Sequence, residues 1–167
     1  MLNKKVEAAM NDQLQKELQS AYVYLAMSAY TESLSLPGIS QWLRSQWEEE
    51  LAHAMKFYNF IVDRGSRVEF KALDAPPVDY SSALNVFETA LEHERSVTRS
   101  INDLYELVAQ EKDFASQAWL DWFATEQVEE EKSVGQIVDD LKRTGDKGDG
   151  LYLIDRALGS RTSAEGE

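Results

Sequence analysis

No cysteine occurs in the 167 residues. Disulfides, zinc knuckles, thiolate nucleophiles and iron-sulfur clusters are therefore excluded, and a bound metal must rely on carboxylate or histidine. Proline is nearly as scarce, with only Pro37, Pro76 and Pro77. Long apolar runs are missing too: none approaches the roughly 20 residues of a membrane span, and the opening stretch MLNKKVEAAMNDQ lacks the apolar core of a signal peptide. A cytoplasmic location without a membrane partner is expected. Basic residues are in deficit, 17 against 30 acidic, which leaves a net charge of -13. Such a chain repels nucleic acid and anionic membranes and concentrates cations around itself. The length suits a single domain over residues 1–167, with a flexible tail from residue 159.

Between the prolines the apolar residues recur with helical rather than alternating spacing, so the chain reads as all-α. The expected helices run over about 4–33, from Pro37 to a stop at Arg64-Gly65, over about 83–110 behind Ser81-Ser82 as N-caps, and over about 114–143. TGDKGDG then breaks the pattern, and LYLIDRAL suits a short fifth helix. The connection SRVEFKALDAPPVDYSS shows no helical face. Its reach of about 56 Å extended exceeds the roughly 42 Å length of a helix of about 28 residues. It can therefore run the length of a bundle and leave the second and third helices parallel. Two helical hairpins joined by one long crossover is the connectivity of ferritin-like four-helix bundles.

The stretch WEEELAHAM places Glu50 and His53 three residues apart inside an apolar stripe, Leu43, Gln46, Glu50, His53, Phe57 and Phe60. The third helix is interrupted in the same way, Leu84, Phe87, Leu91, Glu94, Thr98, Ile101. So is the fourth, Phe123, Gln127, Glu130, Val134, Ile137, Leu141. The first offers Val6, Met10, Gln13, Glu17, Ser20, Tyr24 and Met27. Each polar interruption lies near the middle of its helix, and a midpoint stays at mid-height whichever way the helix runs. Glu17, Glu50 with His53, Glu94, and Gln127 with Glu130 are thus expected to converge. Four carboxylates at one buried level repel one another and lose hydration, and a bound cation resolves both costs. Carboxylates with one imidazole favour iron or manganese over calcium and structural zinc, iron being preferred here. So many side chains suit two metals bridged by a shared carboxylate, with Glu50 the natural bridge.

At these residues the sequence closely resembles the bacterial non-haem ferritins. LYLIDRAL resembles that family's fifth helix, and EQVEEEK resembles its fourth-helix signature. The resemblance implies a homo-oligomeric cage of twenty-four subunits that oxidises Fe2+ with dioxygen or peroxide at an intrasubunit di-iron ferroxidase centre and stores ferric mineral inside. It implies a first iron site at Glu17, Glu50 and His53, and a second at Glu50, Glu94 and Glu130 with Gln127 close by. It also implies a third site at Glu49, Glu126 and Glu129 sharing Glu130. On spacing alone Glu49 and Glu126 lie about 100° from the seam and face either a cage cavity or water. Tyr24 corresponds to the tyrosine beside the family's centre and Trp122 to a nearby tryptophan, though as core aromatics neither requires a function.

Departures from related patterns narrow the expectation. Bacterioferritins carry a second Glu-x-x-His on the last helix, where this chain has Gln127-x-x-Glu130, and bind haem through a methionine that is here Leu51. Haem is not expected. Rubrerythrins need cysteines that are absent. His93, the only other histidine, lies off the seam and reads as a surface residue. The principal alternative is a di-iron oxygenase or peroxidase of the same superfamily without a storage role. A DNA-protecting mini-ferritin is disfavoured by the acidic ending SAEGE, and a plain scaffold bundle by the acids at seam positions.

Overall fold

The computed structural model describes residues 1–160. Five helices follow one another: α1 (Lys4–Ser33), α2 (Pro37–Asp63), α3 (Ala83–Gln110), α4 (Phe114–Thr144) and α5 (Gly148–Gly159). Their starts follow local chemistry. Asn3 accepts from the backbone N–H of Val6, Ser82 from that of Asn85, and Asp113 from that of Ser116, which satisfies first-turn donors that no carbonyl can reach. Pro37 opens α2, where its missing N–H costs nothing. The fifth helix begins earlier than LYLIDRAL, because Gly148, Asp149 and Gly150 are already helical. A Cβ on Gly150 would lie 2.2 Å from the Thr144 carbonyl oxygen, so glycine is what lets this turn close against the end of α4. At its other end α5 includes Gly159, and the remainder of the expected tail, 161–167, lies outside the described residues.

Short links make α1 with α2, and α3 with α4, antiparallel hairpins, and α1 also packs on α3. The crossover then fixes the topology. Three amide side chains one helical turn apart on α1 each grip its backbone at two points. Asn11 donates to the Arg67 carbonyl and accepts from the Glu69 N–H. Gln15 treats Ala72 and Lys71 likewise, and Gln19 makes both bonds to Asp74. Ser66 near the start of α1 and Tyr80 near its end, where Tyr30 donates to the Tyr80 carbonyl, mark the limits of this run. The irregular segment thus satisfies part of its backbone against side chains of a helix rather than a strand. It returns the chain along the bundle, and α2 and α3 run parallel as expected. Arg64 closes the far end with a two-bond pair to Asp113 at 3.1 and 3.0 Å, tying the end of α2 to the start of α4.

Apolar burial divides into two clusters at opposite ends of the bundle. One gathers Met27, Ile39, Leu43, Phe87, Val134, Ile137 and Leu141. The other gathers Val6, Met10, Leu14, Phe57, Ile101, Leu120 and Phe123. Every residue of the α1 and α4 seams is buried, so the spacing identified those faces correctly. Between α2 and α4 the space is filled by aromatic rings, Phe60 stacking on Trp119 at 4.2 Å and Phe57 meeting Phe123 at 4.5 Å. Between the two clusters lies the polar layer. On α5, buried Ile154 and Leu158 join the first cluster, and Asp155 accepts from the Ile39 N–H at 2.8 Å, supplying the cap that Leu36 cannot.

Candidate metal centre

All four helices of the bundle contribute to the layer at mid-height. Glu17, Glu50, His53, Glu94, Gln127 and Glu130 are all buried, Glu94 completely. Among the described residues, carboxylate and imidazole atoms come within metal-ligating reach of one another in two groups: Glu17 with Glu50 and His53, and His53 with Glu126 and Glu130. His53 belongs to both and therefore lies between them. Its Nδ1 is 3.5 Å from Glu50 Oε2, a buried oxygen with no hydrogen-bond partner. A buried carboxylate oxygen in that state is costly unless it holds a proton or a cation.

Other ligand-capable groups are fixed by neighbours. Gln13 donates to Glu17 Oε1 at 2.7 Å, and the Tyr24 hydroxyl donates to Glu94 Oε1 at 2.5 Å. Gln127 reaches Glu94 Oε2 at 3.3 Å, which places its amide beside the layer on longer, weaker contacts. Burial raises all four carboxyl groups above the usual range. Glu50 adds to the effect on Glu17, and Glu94 adds to that on Glu50. For Glu130, burial and then the Glu94 carboxylate push the value up to about 9. On Glu94 the same burial is opposed by hydrogen bonds from Tyr24 and Gln127. Near neutral pH this layer therefore retains protons that a divalent cation would displace, the usual competition at a carboxylate site.

The remaining expected residues divide. Glu126 is half-buried and lies close to His53 and Glu130. Glu49 is half-buried with burial raising its carboxyl, and it accepts from Gln46 at 2.5 Å. Glu129 is exposed and belongs to neither group. Trp122 is not a core aromatic: it is 40% exposed, its ring meets the His53 imidazole edge-on at 5.4 Å, and Lys56 Nζ lies 4.1 Å above it. His93 corrects the sequence reading most clearly. It is half-buried against α1, with Nε2 2.7 Å from Ser20 Oγ, and burial lowers its pKa. Because the Ser20 hydroxyl donates to the Lys16 carbonyl, it accepts from His93. Two supporting residues escaped the sequence reading as such: Gln13, although it stands in the α1 row one turn before Glu17, and Thr98, which donates to Glu131 at 2.6 Å.

Comparison with known proteins agrees with the fold. The family model for the ferritin-like domain matches residues 7–144. The chain is 42% identical over 165 residues to the bacterial non-heme ferritin of Staphylococcus aureus, covering 99% of each chain. It is 39% identical over 165 residues to that of Staphylococcus haemolyticus, again with 99% of each chain covered. Among solved structures, an engineered closed form of the Archaeoglobus fulgidus ferritin superposes with a TM-score of 0.95 at 43% identity, over 97% of this chain and 99% of the other. The open pore ferritin of the same archaeon gives a TM-score of 0.95 at 43% identity, over 96% and 98%.

Proposed function

This chain belongs to the ferritin family and is an iron-storage ferritin, and on that premise we propose that its buried polar layer is an intrasubunit di-iron ferroxidase centre. The observation that carries the reading is the layer itself. Four buried carboxyl groups and one imidazole interrupt two apolar clusters, and one carboxylate oxygen is left without a partner. A bundle selected only for stability would fill these positions with apolar side chains. Glu17, Glu50 and His53 would hold one Fe2+, and Glu50, Glu94 and Glu130 a second, with Glu50 shared and Gln127 alongside. Glu126 lies near enough to His53 and Glu130 to receive iron leaving the pair, with Glu49 and Glu129 as further ligands on the way out. Tyr24 orients Glu94 through its hydroxyl.

Iron is the substrate. Each Fe2+ gives up one electron, and dioxygen takes two electrons and two protons to leave as hydrogen peroxide, so the step balances without another reductant. The protein binds both ions at one distance and replaces their water with fixed anionic oxygen, which favours Fe3+ over Fe2+. Displaced carboxyl protons leave as the metal enters. The second site has no imidazole and should hold its iron more loosely. The negative chain attracts the cation. We place the protein in the cytoplasm, as one folding unit assembled into a cage of twenty-four copies around the mineral. No helix among the described residues is long and apolar enough to cross a membrane.

Stopped-flow mixing of metal-free protein with Fe2+ and oxygen tests this. Ferric absorbance should rise in a rapid phase that saturates near about two irons per chain, as a two-metal site requires. Slower uptake should follow at excess iron. If there is no rapid phase and iron precipitates as it does in buffer, the ferroxidase assignment is wrong.

A further inference from the structure

From Glu17 a chain of hydrogen bonds crosses the interface between α1 and α3 to the surface. Lys16 Nζ donates to Ser100 Oγ at 2.6 Å, the Ser100 hydroxyl donates to Gln13 Oε1, and Gln13 Nε2 donates to Glu17 Oε1 at 2.7 Å. An ammonium can only donate, so the direction of every bond follows from its outer end. Ser100 must accept from Lys16 and is left to donate inward. Gln13 must then receive on its carbonyl and turn its NH2 toward Glu17. The chain is polarised along its length, with positive charge at the surface and the carboxylate at the buried end, an arrangement in which successive bonds strengthen one another. Gln13 is 2% exposed and Ser100 8%, while Lys16 reaches a groove of about 180 Å³ with Asp12 and Asp103.

We propose that Gln13, oriented by Ser100 and Lys16, is a positioning residue for the first iron site: it occupies one oxygen of Glu17 so that the carboxylate binds iron through the other. The inference rests on the di-iron reading above. The Glu17 carboxylate is fixed by an amide whose orientation is itself dictated from the surface, and the bond is short, whereas the Gln127 amide reaches Glu94 only at 3.3 Å. Tyr24 and Gln127 act on Glu94, and Glu50 Oε2 has no partner. A carboxylate that would otherwise alternate between one-oxygen and two-oxygen binding is thereby held in a single mode. The first ion then meets a preformed site of Glu17, Glu50 and His53 instead of assembling one.

The test uses Co2+, which is not oxidised under these conditions and whose visible bands report coordination. Calorimetry and spectra of the assembled, metal-free protein should show two ions per chain, and Glu17→Ala identifies which of them belongs to the first site. Gln13→Met keeps the volume and removes the donor. It should weaken that ion about 10- to 100-fold, the usual effect of losing a partner that orients a ligand. The bands of that ion should change while the affinity of the other stays as in the parent. Ser100→Ala should shift the same ion in the same direction, Ser100→Thr should restore it, and Ser100→Ala added to Gln13→Met should cost nothing further, because the chain is already broken. Unchanged binding and spectrum for the first ion in Gln13→Met would overturn the proposal, as would equal weakening of both ions. Should Gln13→Met fail to fold, the Ser100→Ala and Ser100→Thr pair decides in the same way. Failure of the parent itself to bind Co2+ in this layer would remove the di-iron reading, and this inference with it.

Discussion

Replacing Glu130 with glutamine removes a titrating group from the layer while keeping its shape, and the consequence can be worked out from the group's environment. In the folded, metal-free protein, burial and the Glu94 carboxylate push Glu130 up to about 9 from an ordinary value of 4.5. Between those two pH values the folded chain holds a proton that the unfolded chain has lost. The stability contributed by this group is therefore complete below about pH 4.5, and falls by about 1.4 kcal/mol per pH unit as pH rises toward about 9. From about pH 5.5 to about pH 7.5 the loss is about 3 kcal/mol, or about 6–12 °C in Tm for a chain of this length. Glu130→Gln lacks this loss. Thermal unfolding of both proteins, stripped of metal by a chelator, should show the variant gaining on the parent by that amount across the interval. Glu17, Glu50 and Glu94 are raised as well, so the variant keeps a decline of the same sign. Saturating Zn2+ should reverse the order, because the metal takes the place of the protons and the variant has lost an anionic ligand. A gap in Tm independent of pH would refute this account of the layer.

Two further outcomes follow from the same geometry. Glu94→Ala removes the acceptor of the Tyr24 hydroxyl and, on the proposed assignment, a ligand of the second site, so Co2+ titration should find about one ion per chain, still bound at Glu17, Glu50 and His53; two ions at parental affinity would contradict that assignment. Gly38→Ala would place a Cβ 1.8 Å from the Asp155 carbonyl oxygen, where α5 crosses α2. Displacing α5 weakens the bond from Ile39 to Asp155 and the burial of Ile154 and Leu158, costing about 2–4 kcal/mol. Calorimetric unfolding should show it, and an unchanged Tm would mean that the two helices do not cross in contact.

How much of this was legible in the sequence depended on whether a residue's partner leaves a periodic trace. The seams of α1 and α4 were readable because a buried stripe repeats every three or four residues. Glu17, Glu50, His53, Glu94, Gln127 and Glu130 stood out as polar interruptions at matching heights. Asn11, Gln15 and Gln19 repeat just as regularly, yet polar residues at helical spacing look like a solvated face. What they bind is the backbone of an irregular segment, and backbone groups carry no sequence signature. Glu129 and Glu126 illustrate a different limit. Three positions apart on the helix in the same acidic stretch, they could not be ranked by charge, whereas in three dimensions Glu126 turns inward beside His53 and Glu129 faces outward.

His93 shows why a single seam is too simple a description of a bundle helix. One residue before Glu94 on α3, it lies about 100° from the centre-facing row, and on an isolated amphipathic helix that direction would be solvent. In a bundle each helix packs against two neighbours, so the flanks of its inner face are covered as well. On α3 the flank carrying His93 faces α1, and the imidazole finds Ser20 there. Ser100, two turns further along α3, reaches α1 too, where it meets Gln13 and Lys16. The flank that looks polar and therefore external in the sequence is thus the surface through which α1 and α3 fix each other. The same register links a surface charge, through one hydroxyl and one amide, to the buried Glu17 carboxyl. Spacing within one helix can show which residues point inward, but which neighbour a flank meets is set by how the hairpins dock, and that depends on the crossover clamped along α1.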